Sequence, residues 1–161
     1  MVSTFETALE LEKALAQLLK TEVETNPSLA PALTLQAECQ AQWQAVLKQA
    51  AEATEAFPTY PVVEPEQVLV SETQWMAVLE QMKAAGLPDA QLLRLSALVG
   101  AYSLLVDYYR QAQSNEPHPT TKLFLSSCIE MKRLQKAAVE KLYRQAVHAV
   151  WNKIGFSPVL N

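Results

Sequence analysis

The chain has 161 residues, half of them apolar and 19% charged, with a formal net charge of −4. That is the composition of one globular domain with a sizeable core, and it excludes a disordered chain. Only three glycines stand against an abundance of Ala, Leu, Glu, Gln and Lys. This argues against turn-rich β or α/β architectures and predicts an all-α fold, about five helices in a single bundle domain over residues 1–161.

Ser3 and Glu6 have the spacing of a capping box, and behind them Phe5, Leu9, Leu15, Leu18, Leu19 and Val23 recur at mostly helical steps. The first helix is therefore predicted to run to Thr25, where Asn26-Pro27 stops it, because a residue before proline avoids the α region. Ser28 and Pro31 open a second helix whose expected inward face is Cys39, Trp43, Val46, Leu47, Ala50 and Phe57. Residues 57–70, FPTYPVVEPEQVLV, hold Pro58, Pro61 and Pro65 and predict an extended crossover, pinned by Val62, Val63, Val68 and Val70.

Ser71 with Gln74 is a second capping signal, opening a short third helix with Trp75, Val78, Leu79 and Met82 inward. Gly86 supplies its left-handed stop and Pro88 restarts the chain. The fourth helix contains LSALVGAYSLLVDYY, apolar on nearly every side, which predicts a place in the middle of the bundle. Gly100 is expected to mark a close contact with a neighbouring helix, and Asp107 to need an arginine such as Arg110 or Arg133. After the break EPHPTT, with His118 expected in an exposed loop, the fifth helix runs from about Thr120 to Ile154, with Gly155 as its stop.

That last helix divides into two faces. Phe124, Cys128, Met131, Leu134, Ala138, Leu142 and Ala146 fall on one side of a helical wheel. Lys122, Lys132, Arg133, Lys136, Lys141, Arg144 and His148 fall on the other, Lys132 and Lys141 at its edges. The first 90 residues carry 4 basic and 13 acidic side chains, whereas residues 119–161 carry 7 basic and 2 acidic. Two readings of the basic stripe follow. It is a solvated face, or one paired with the acidic first helix (Glu6, Glu10, Glu12, Glu22, Glu24). Alternatively it tracks a polyanion backbone through Lys132, Arg133, Lys136, Lys141, Arg144, His148 and Lys153, so that affinity falls steeply with salt. Tyr143 stands beside Arg144 and Trp151 near Lys153, and Tyr108 and Tyr109 precede Arg110; such aromatic rings stack on bases or pack at the core rim.

Catalytic patterns do not emerge. A ferritin-like diiron site needs a Glu three residues before a His on two helices. Neither His118 nor His148 has one, since Asn115 and Gln145 hold those positions. Arg144 and His148 approach the Arg/His spacing of helical ribonucleases but fall one residue short. No phosphate-binding glycine loop and no nucleophile–base pair stands out, so no enzyme, cofactor or metal is expected. Cys39 and Cys128 are expected as free thiols inside helical patterns, a disulfide between them being the alternative. The N-terminal MVSTFETALE lacks the pattern of a signal peptide, and the longest apolar run, Leu95 to Val106, is too short to cross a bilayer. A cytoplasmic protein without membrane contact is the expectation.

Two segments carry a resemblance. LSALVGAYSLLVDYYRQAQ, a Pro-containing break and LFLSSCIEMKRLQKAAVEKL, between Leu95 and Leu142, resemble the helical C-terminal part of the large subunits of type I CRISPR effector complexes. They are similar also to the separate small subunits that take that role. The resemblance implies a non-catalytic bundle in an antiviral nucleoprotein complex, with other subunits and several copies of itself as partners. It implies contact with the backbone of crRNA or target strand through Lys132, Arg133, Lys136, Lys141 and Arg144. The acidic total departs from that pattern, and would require the first two helices to face away from nucleic acid or meet a neighbouring subunit. The other reading is a helical protein–protein adaptor, ferritin-like but metal-free, with no nucleic-acid role.

Overall fold

The computed structural model describes residues 3–53, 58–82, 87, 89–153 and 155, and among them every long element is a helix. Helix α1 spans Thr4–Thr25 and opens on the expected capping box. The Glu6 N–H donates to Ser3 Oγ at 3.1 Å, and the Ser3 N–H donates to the Glu6 carboxylate at 2.8 Å. Two helix-end donors are thereby satisfied by each other's residues. Asn26 caps the far end, just before Pro27.

Helix α2 spans Ala30–Ala51 with Pro31 in its first turn, but its N-cap is Leu29 and no side chain caps it, so Ser28 does not serve as expected. Its buried face is Ala32, Leu33, Gln36, Gln40, Trp43, Leu47 and Ala50. Cys39 and Val46 are only half-buried, and Phe57 lies outside the described residues.

The crossover is extended from 58 to 64 and then makes one turn of helix, α3 (Pro65–Val68). Val68 is buried, and Val63 and Val70 are half-buried, while Val62 is 81% exposed and pins nothing. The anchor is Tyr60. Its ring stacks on Phe124 at 4.8 Å and lies 5.4 Å from Phe5, and its hydroxyl shares a 2.7 Å hydrogen bond with Thr121. Helix α4 (Glu72–Met82) buries Trp75 and Leu79, and Ser71 Oγ accepts from the Gln74 N–H. The Gly86 stop and Pro88 lie outside the described residues.

Helices α5 (Asp89–Asn115) and α6 (Pro119–Lys153) complete the chain, and Gly155 follows in the left-handed region at φ +80°. At a rise of ~1.5 Å per residue, α6 is about 50 Å long. α1 packs along α2, α5 along α6, and α1 also meets α5, while α3 and α4 lie on α2 and α4 reaches α6. Tyr108 donates to the Thr4 carbonyl and Arg94 to Glu22, so α1 and α5 run antiparallel.

Helix α5 does not sit in the middle of the bundle. It occupies a corner, burying Leu95, Leu98, Tyr102, Leu105, Val106 and Tyr109, while Leu93 and Leu104 are 74% and 72% exposed. Gly100 faces outward too, and a Cβ added there would meet nothing within 4 Å, so it is not a packing contact among the described residues. Asp107 is exposed, and no ion pair among the described residues includes it.

Candidate functional site

The basic face of α6 is narrower than its sequence predicts, because Lys132 does not belong to it. Lys132 is wholly buried and points into the bundle, where its Nζ lies 2.8 Å from Glu12 Oε2 of α1. It therefore cannot contact a phosphate outside the folded chain. The inward stripe of α6 is Leu125, Cys128, Lys132, Gln135, Val139, Leu142 and Ala146, so Lys132 belongs to the core side of the wheel. The expected core residues Leu134 and Ala138 are only half-buried.

Around that pair a closed polar cluster has formed. The three ammonium donors of Lys132 have three acceptors: Glu12 Oε2, Gln40 Oε1 at 3.0 Å and Gln135 Oε1 at 2.7 Å. The Glu12 carboxylate in turn accepts from Gln40 at 2.6 Å, Trp43 Nε1 at 2.8 Å and the Tyr109 hydroxyl at 2.7 Å. Gln135 spends its amide N–H on the Val68 carbonyl at 2.7 Å, which ties the crossover to the core. The rings of Tyr102 and Trp43 stand 5.4 Å and 5.8 Å from the ammonium, adding cation–π contact.

Burial lowers the Lys132 pKa, and the charge of Glu12 and its hydrogen bond oppose that shift. Burial likewise raises Tyr102, Tyr109 and Cys128, with the Glu12 charge acting in the same direction on all three. These are the perturbed groups of a sealed interior. No lone pair of the carboxylate and no proton of the ammonium is left over for a substrate, so the cluster is built to lock helices together.

The other predicted cations lie outside. Arg133 is exposed and makes two hydrogen bonds to Glu130 one turn away, at 3.1 and 2.8 Å. Lys136 pairs with Glu140 at 3.4 Å. Lys141 is exposed, with its ammonium 3.2 Å from the sulfur of Met76, and Arg144 is exposed. His148 is half-buried and stacks on Trp151 at 5.9 Å. The Lys153 side chain lies outside the described residues. Of the aromatic residues considered for stacking, Tyr109 is wholly buried on Glu12, Tyr108 is half-buried and held by Thr4, and Tyr143 packs on the core.

The acidic first helix explains where most of its carboxylates go. Glu12 meets Lys132, Glu22 holds Arg94 at 2.9 Å and accepts from Asn26, Glu6 closes the capping box, and Glu10 pairs with Lys13. Cys39 and Cys128 are free thiols, so the disulfide alternative does not arise. His118 is half-buried rather than exposed, and its backbone N–H donates to Glu116. Among the described residues no group of three or more His, Cys, Asp or Glu is arranged to hold a metal ion.

Two surface clefts of about 520 Å³ flank the crossover. One is lined by Tyr60, Val62, Leu123 and Phe124, the other by Leu69, Trp75, Leu134 and Lys141. Both are mostly apolar, and neither brings a nucleophile together with a base. No protein-family model, curated protein or solved structure matches this chain.

Proposed function

We propose that the chain is a non-catalytic helical subunit that works by surface contact with other proteins. One observation carries this reading: the buried ionisable cluster is saturated by its own members, while large leucines stand uncovered on α5 and α6. The strongest charges are thus spent on holding the fold, and the apolar surface is what is offered outward. The two glutamates of α6 also take up Arg133 and Lys136, which weakens the field a polyanion would meet.

A second reading has one observation in its favour. Lys122, Lys141 and Arg144 are exposed, and no carboxylate among the described residues pairs with them. They would serve contact with a nucleic-acid backbone in a nucleoprotein assembly, of which a crRNA-guided complex is one kind. Such binding would involve ~3 phosphates and fall steeply with salt.

The test is affinity capture with and without nuclease, beside salt titrations on mixed-sequence RNA and DNA. The expected result is a partner protein retained after nuclease, and no low-salt affinity that charge reversal at Lys141 and Arg144 removes. Release of the partner by nuclease, or polyanion binding abolished by those reversals, would replace the first reading by the second.

A further inference from the structure

The outer face of α5 is an apolar stripe that nothing among the described residues covers. Leu93, Ala97, Gly100 and Leu104 follow one another at steps of four, three and four, so they share one side of the helix. All four are exposed, the leucines by 74% and 72%. By length and composition alone α5 is apolar enough to cross a bilayer, and only 28% of its most apolar window is buried in this fold.

The charges beside the stripe say what fits it. Asp89 and Arg110 are both exposed, lie on the same side of the stripe, and enter no ion pair among the described residues. They stand at nearly equal distances on either side of Gly100. A second α5 laid antiparallel across this one at Gly100 therefore brings Arg110 of each copy beside Asp89 of the other. Asp107, on the same edge, flanks that arginine from its own helix. Leu104 of each copy then lies over the Ser96–Ala97 step of the other, where small side chains leave room. Gly100 has open space where a Cβ would stand, so the two backbones can approach most closely at the crossing.

We propose that α5 is a homodimerisation helix, pairing antiparallel with α5 of a second copy through one isologous two-fold interface. The inference deepens the proposed function by naming one partner, and rests on that reading only in needing the α5 stripe uncovered. A lipid surface fits the same leucines less well, because the carboxylates of Asp89 and Asp107 lie along the edge of the stripe.

Sedimentation equilibrium on the full chain tests this. The expected result is a concentration-dependent dimer that the Leu93→Glu/Leu104→Glu variant loses without losing helical circular dichroism. Arg110→Glu should weaken the dimer at least tenfold by gathering three acids at each end, and Asp89→Arg added to it should restore association. That rescue does not depend on the leucine variant folding. A parent chain that stays monomeric at its solubility limit overturns the inference, as does a dimer indifferent to Arg110→Glu. A monomer that floats with phosphatidylcholine vesicles assigns the stripe to lipid and overturns it equally. A monomer that still retains a protein partner after nuclease defeats this inference alone and leaves the proposed function standing.

Discussion

Lys132 and Glu12 show how much of this fold is decided by two side chains. Each is wholly buried, and each hydrogen-bonds to at least two further residues besides its counter-ion. A buried pair of this kind earns little net stability, because desolvation offsets most of the attraction, yet half of a pair is expensive. Lys132→Met should therefore destabilise by about 3–5 kcal/mol, since it strands a carboxylate in the core. Adding Glu12→Leu should recover only part of that loss. Tyr109 would then have lost its acceptor, at roughly 1–3 kcal/mol, and the Trp43 N–H would keep only the Tyr109 hydroxyl at 3.4 Å. Urea unfolding of the two single variants and the double variant measures both the cost and the coupling. A Lys132→Met midpoint equal to that of the parent would mean that the lysine is not inside.

At the scale of the element, helix ends were legible and faces less so. Ser3 with Glu6 and Asn26 with Pro27 delimit α1 because capping is chemistry between near neighbours. The burial of Lys132 is settled by partners 92 and 120 positions earlier, Gln40 and Glu12, which no local rule sees. A signal was nonetheless present in the heptad rows. Leu125, Lys132, Val139 and Ala146 form one line on α6, and Phe5, Glu12 and Leu19 form another on α1. One base and one acid, each centred in an apolar row, are complementary core residues, and neither shows on a wheel of the apolar side chains alone. On α5 the reverse holds: apolarity on nearly every side does not mean burial, because it equally suits a face turned outward.

Glutamines of α6 also fasten the middle of the chain, since Gln135 and Gln145 donate to the Val68 and Leu79 carbonyls, both at 2.7 Å. Gln145→Ala should release α4 selectively. A hydrogen bond worth about 1 kcal/mol predicts roughly fivefold faster amide exchange in Glu72–Met82, with α1 and α2 unchanged. Uniform acceleration throughout the molecule would show that α4 does not open as a separate unit.

Over the whole molecule, the interior favours protons that the unfolded chain gives up. Burial raises the Cys128 thiol well above its ordinary 9.0, and raises Tyr109 and Tyr102 above their ordinary 10.0. The stability these groups contribute is fully present below their unfolded values and is lost as pH climbs toward the folded ones. Lys132 works the other way. Its folded pKa lies below the ordinary 10.5, so between those two values the unfolded chain binds more protons and stability gains with pH. Below pH 10 the thiol and the lysine offset each other; above it the two tyrosines join the thiol and leave a net alkaline loss, each group contributing at most about 1.4 kcal/mol per pH unit. Melting followed by circular dichroism from about pH 8 to about pH 11 should show the midpoint falling above pH 10. Tyr109→Phe, though less stable at neutral pH for want of the Glu12 hydrogen bond, should fall less steeply in the upper part of that range. A midpoint that holds level to pH 11 would mean that these hydroxyls and the thiol reach water, and the sealed cluster that excludes a substrate would have to be abandoned with them.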